Sequence, residues 1–208
     1  MWRQADGGPV APFTRIRAAD VRSGKYVPRD PQALARVLSY LDAPEAGGRY
    51  ALMVWPVHCE IGTWGHNVVD KVRAAYNRWE IATLRPVRKV FKGMTAWTEN
   101  YGALQAEVPD PRDPDTQLNS ELIRQLGAAE RIVVAGEASS HCVRATVEHL
   151  AEHLPAGHID KLVLFSDCMG PVPGFEEEAD TFLSAMRMRG ATVCTSREYT
   201  QAFSQKVR

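Results

Sequence analysis

Three short apolar runs punctuate the second half of the chain: Arg131-Ile132-Val133-Val134-Ala135-Gly136, Lys161-Leu162-Val163-Leu164-Phe165 and Ala191-Thr192-Val193-Cys194. Each reads as a buried strand, and they begin at the evenly spaced positions 131, 161 and 191. Helical spacing fills the gaps, with Val143, Val147, Leu150 and Leu154 in one and Ala179, Phe182, Leu183 and Met186 in the other, closed by Gly190. Strand–helix–strand at about 30 residues per unit is the signature of a parallel sheet built from βαβ units. Two more helices fit the layout, one through Val68, Val72, Tyr76 and Trp79, the other through Leu118, Leu122, Ile123 and Leu126. Val87–Phe91 alternates apolar with basic residues and predicts another strand.

The first 49 residues are weaker. Gly7-Gly8-Pro9, Pro12, Pro28 and Pro31 break any regular period, so residues 1–31 read as an extended loop. Residues 32–42 carry Leu34, Val37, Leu38 and Leu41 at helical spacing, stopped by Gly47-Gly48. Tyr50–Val54 is an apolar run ended by Pro56, which predicts a short strand. The whole reads as a single α/β domain over 1–208, with a loop-rich region at 1–49 and a core at 50–200.

Composition changes little in this picture but excludes much. Of 208 residues, 45% are hydrophobic and 24% charged, a globular balance, and 25 basic residues cancel 25 acidic ones. Nothing in that charge balance calls for nucleic acid or an anionic membrane as partner. No apolar run approaches the roughly 18 residues that span a bilayer, and Met1–Asp6 has no signal-peptide pattern. Four cysteines are too few for a disulfide scaffold, so the expectation is a cytoplasmic protein with reduced thiols. The absence of a Cys-x-x-Cys pair argues against a redox thiol protein.

In open parallel sheets, sites form at the carboxyl ends of strands, which directs attention to Trp55–Cys59, Lys92-Gly93 and Gly136–Cys142. Cys142 falls where a strand gives way to a helix. A thiol there feels the positive end of the helix dipole, and the same free N–H groups can hold an oxyanion. The alternative is a small buried residue at a helix start. Cys168 and Cys194 read as packing residues. Lys92 brings an ammonium that could meet the thiolate if its strand neighbours the other; otherwise it is solvated.

These residues carry a family likeness. Trp55-Pro56-Val57-His58-Cys59, Phe91-Lys92-Gly93 and Gly136-Glu137-Ala138-Ser139-Ser140-His141-Cys142-Val143-Arg144-Ala145-Thr146 occur in that order. Together they resemble the isochorismatase-like cysteine hydrolases, and among those the nicotinamidases, over roughly residues 50–200. The resemblance implies a three-layer α/β/α fold with a mainly parallel sheet. It also implies hydrolysis of a small carboxamide through an Asp–Lys–Cys triad and a thioester. Cys142 matches the nucleophile and Lys92 the triad lysine. A cis peptide would join Glu137 and Ala138 and aim the N–H groups of Ala138 and Cys142 at the oxyanion. Trp55 would line the substrate pocket, and His141 would either touch substrate or cap the turn. His58 matches a ligand of a divalent metal (Zn, Mn or Fe) in a full-length parent. Partners would be a small-molecule amide and, as often in this family, further copies in a homo-oligomer.

The family's catalytic Asp and its Asp-x-His metal element find no counterpart before His58. The resemblance therefore places the chain after the family's first two strands, as a truncated sequence. The competing reading is a non-catalytic member lacking the triad acid. His58, Cys59 and His66 match no zinc spacing. His149 and His153 read as a solvated helix face, and Glu176–Glu178 as acids suited to a helix start. Trp64, Trp79 and Trp97 read as core or interface, and Trp97–Tyr101 as a pocket lid.

Overall fold

The computed structural model describes residues 2–47 and 51–206. The chain divides into two compact units, one up to Val90 and one from Phe91 onward. Gly48 and Tyr50, assigned above to a helix stop and a strand start, lie outside the described residues.

The first unit corrects the reading of residues 1–31 as extended loop. It contains β1 (Trp2–Gln4), β2 (Thr14–Ile16), α1 (Ala18–Arg22) and β3 (Tyr26–Pro28), followed by α2 (Leu34–Gly47) and β4 (Leu52–Val54). β1 pairs antiparallel with β3, Trp2 facing Pro28. β2 pairs antiparallel with β4, Ile16 facing Leu52. Strands of three residues are too short to show a period, and Pro28 sits at a strand end, where a missing N–H costs least. A small core results: Ile16 is fully buried among Ala18, Val21, Val37 and Leu41. The start of α1 is tied by Asp20, whose carboxylate accepts the Arg17 N–H at 3.1 Å. That bond, aided by the Lys25 ammonium, holds Asp20 below the usual carboxylate range.

α3 (Asp70–Thr83) forms where the spacing of Val68, Val72, Tyr76 and Trp79 predicts it. Its apolar side chains are not core, however: Val72 and Trp79 are exposed, as is Trp64 in the turn before. Val87–Phe91 is not a strand. The Val87 N–H donates to the Glu80 carboxylate at 2.7 Å, and Val90 and Phe91 are exposed. Alternation of apolar and basic residues reports polarity only; a strand also needs a neighbour to take its backbone groups.

The second unit follows the sequence pattern closely. α4 (Ser120–Gly127) begins at Asn119, whose side chain accepts the Leu122 N–H at 3.0 Å. Then come β5 (Ile132–Val134), α5 (Cys142–His153), β6 (Leu162–Phe165), α6 (Glu176–Met188), β7 (Thr192–Cys194) and α7 (Ser196–Lys206). The strands form one parallel sheet in the order β5-β6-β7, with Val133 against Val163 and Leu164 against Val193. β6 is central, and Leu162, Val163 and Leu164 are fully buried, as a doubly covered parallel strand requires. Val147, Leu150, Phe182 and Met186 pack with Leu162 and Leu164 in one core. Gly190 turns the chain out of α6 at a φ of 105°. No described helix is long and apolar enough to cross a membrane.

The start of α7 makes an acid-sensitive joint. Thr195 and Glu198 form a capping box, and Asp167, just past β6, accepts the Ser196 N–H at 2.7 Å and its hydroxyl at 2.8 Å. Those two bonds hold Asp167 below its ordinary 3.8. A carboxylate lowered on folding contributes fully above its unfolded value and loses its contribution as pH falls through the folded one. Amide-exchange protection over 196–202 should therefore hold steady above about pH 5 and fall as the pH drops below 3.8. In Asp167→Ala it should be lower at neutral pH and fall less on acidification, since Glu198, likewise held low by its bonds from Thr195, still titrates. Wild-type protection in the variant would show that Asp167 does not anchor the helix.

Candidate active site

Cys142 is the first residue of α5, reached from β5 through the turn 135–141. The peptide bond between Glu137 and Ala138 is cis. The Ala138 carbonyl accepts N–H bonds from His141 at 3.1 Å and Val143 at 3.0 Å. Among the described residues no acceptor takes the N–H of Ala138 or of Cys142. Two backbone N–H groups without an acceptor thus stand in the turn and at the start of the 12-residue helix that carries a half-buried thiol.

Four hydrogen bonds fasten this turn to the segment after β6. Gly136 N–H donates to the Cys168 carbonyl at 3.0 Å and Ser139 N–H to the Gly170 carbonyl at 2.8 Å. Gly170 N–H donates back to the Glu137 carboxylate at 3.0 Å, and Val172 N–H to the Ser140 hydroxyl at 3.0 Å. Gly170-Pro171-Val172-Pro173-Gly174 is a turn signature in the sequence, but its partner could not be read from it.

Lys92 reaches the same point from an irregular segment rather than from the expected strand end. Its ammonium lies 3.5 Å from the Cys142 sulfur and donates to the Asn100 carbonyl at 2.8 Å. Among the described residues no carboxylate hydrogen-bonds to either group. The segment 97–101, expected as a lid, is instead partly built into the unit: Trp97 is exposed, whereas Tyr101 is buried against the His141 ring. His141 is itself buried, edge-on to Phe175 at 4.8 Å, with Nδ1 2.9 Å from the Ser140 hydroxyl. It makes no side-chain cap on α5.

Trp55 and His58 belong to the first unit. There Trp55 meets Phe13 edge-on at 5.8 Å, and the exposed His58 shares its Nδ1 with the Pro56 carbonyl at 2.6 Å. No three His, Cys, Asp or Glu side chains gather among the described residues as a bound cation would need. His58 alone does not fit a divalent metal. Cys168 is exposed rather than packed. Cys194 is half-buried in β7, where burial first, then the charges of Glu198 and Asp167, push its thiol up. His149 does not lie on a solvated face: it is 3% exposed, and the backbone of Gly102 comes so near that a Cβ there would sit 2.5 Å from the ring.

No protein-family model and no curated protein sequence matches the chain. Solved structures do. The yeast nicotinamidase Pnc1p bound to the inhibitor nicotinaldehyde matches at 20% identity and TM-score 0.53, over 71% of this chain and 61% of that one. An Acinetobacter baumanii nicotinamidase pyrazinamidase matches at 16% identity and TM-score 0.56, over 94% of this chain and 72% of that one. The chain thus spans about three fifths of the length of the yeast protein. It shares the α/β fold of these nicotinamidase structures.

Proposed function

We propose that this protein hydrolyses a small primary carboxamide through a thioester on Cys142. The observation that carries the reading is the 3.5 Å approach of the Lys92 ammonium to the Cys142 sulfur, across 50 positions of sequence. The sulfur thus lies beside a cation and at the N-terminal end of α5, an arrangement suited to a nucleophile that attacks a carbonyl carbon.

The sulfur attacks the amide carbon, and the carbonyl oxygen takes up the charge. The N–H groups of Ala138 and Cys142 are suited to hold that oxyanion, since both lack an acceptor. Lys92 gives a proton to the departing nitrogen as the C–N bond breaks, releasing ammonia and leaving an acyl-thioester and a neutral amine. A water molecule then attacks the thioester, passing one proton back to Lys92. The C–S bond breaks, and carboxylic acid and thiolate are formed. The sum is amide plus water to acid plus ammonia.

Nicotinamide and pyrazinamide are the first substrates to try, since the structural likenesses are to nicotinamidases and a nicotinamidase pyrazinamidase. Ammonia release from these two, benzamide and acetamide tests the reading. Release from at least one of them, dependent on Cys142, supports it; none from any overturns it in favour of a non-hydrolytic member of the fold. The second reading is favoured by the lack of a carboxylate bonded to Cys142 or Lys92 among the described residues.

A further inference from the structure

Lys92 is exposed, and a lysine side chain with four methylenes has no intrinsic reason to stay beside one sulfur. What fixes it is the Asn100 carbonyl, so the question becomes what fixes segment 100–106. Tyr101, Leu104 and Ala106 are buried. Two anchors join the segment to α5. The Ala103 N–H donates to the Thr146 hydroxyl at 3.0 Å, and that hydroxyl donates to the Cys142 carbonyl at 2.7 Å. One residue earlier, Gly102 lies against the His149 ring with no room for a side chain. Cys142, Thr146 and His149 are spaced i, i+4 and i+7, so one stripe of α5 bears the thiol and both anchors.

We propose that Thr146 is a positioning residue that holds the Lys92-bearing segment in register with Cys142. Its hydroxyl spends its hydrogen on the carbonyl of Cys142 and a lone pair on the segment that orients Lys92. It touches neither the sulfur nor a substrate; it acts through Lys92. The inference rests on the proposed role of Lys92 beside the thiol.

The test reads the iodoacetamide alkylation rate of Cys142 across pH, by mass spectrometry of its peptide, and so does not require amide turnover. Thr146→Val keeps the shape and removes both bonds; Thr146→Ser keeps the hydroxyl. In Thr146→Val the neutral-pH rate should fall about threefold to fivefold, the scale of one partly solvated charge contact. Thr146→Ser should stay near wild type. Lys92→Met should fall by as much, and the Thr146→Val, Lys92→Met pair should fall no further than Lys92→Met alone. Gly102→Ala, which pushes the segment off His149, should mimic Thr146→Val and serves if that variant does not fold.

Additive losses in the double variant, or a Thr146→Val profile equal to wild type beside a shifted Lys92→Met one, overturn the positioning role and leave Lys92 as the thiol's partner. A Lys92→Met profile equal to wild type overturns the proposed role of Lys92, and the inference with it.

Discussion

Replacing Cys142 by alanine should lower ammonia release from a carboxamide substrate by about 10⁴-fold or more. The size follows from the division of labour at the foot of α5. Without sulfur there is no thioester, so the two N–H groups and the Lys92 ammonium are left around an amide with nothing to attack it. Groups that act as a unit lose nearly their whole rate advantage with any one of them. The substitution should not disturb the fold, because alanine suits the first turn of a helix and the side chain lost is small and half-buried. An unchanged thermal midpoint together with lost turnover is the expected pair. Cys168→Ala, at an exposed thiol, is the matched control and should keep full activity. Retained turnover in Cys142→Ala would remove the thioester route, whatever else the protein hydrolyses.

The sheet and the turn that leads into α5 were legible because each is local. β5, β6 and β7 are continuous apolar runs at even intervals, and the strand–turn–helix motif around Cys142 lies within a dozen residues. In the first unit α2, α3 and β4 form where the sequence pattern places them, but β1, β2 and β3 were not legible, because they are three-residue strands paired across gaps of sequence. Such strands have no period to detect and owe their existence to Ile16 and its buried neighbours. Val87–Phe91 shows the converse failure: a clean alternation that no neighbouring strand takes up.

The site divides the same way. Lys92 and Cys142 were identified by motif, yet nothing local says that Asn100 and Thr146 bring them together, since those bonds span 8 and 43 positions. Tyr101-Gly102 was a partial signal: a small residue beside an aromatic often marks a close backbone approach. His149 was misassigned to a solvated face because helical spacing fixes which residues share a face, and not what that face meets.

Lys92→Met should lower kcat by about 10²- to 10⁴-fold with little change in KM, the scale of a lost proton-transfer group. The proposal asks two things of this lysine: a positive charge beside the sulfur, and a proton that moves to the leaving nitrogen and later returns from water. A surface charge contact of 3.5 Å accounts for only about 1 kcal/mol, or roughly fivefold. A loss beyond that must come from the proton. Lys92→Arg separates the two. A guanidinium keeps the charge and cannot give up a proton near neutral pH. It should restore most of the alkylation rate of Cys142 and little of the turnover. Were Lys92→Arg to recover turnover in step with alkylation, the charge alone would suffice, and the proton for ammonia would have to come from solvent or from another side chain.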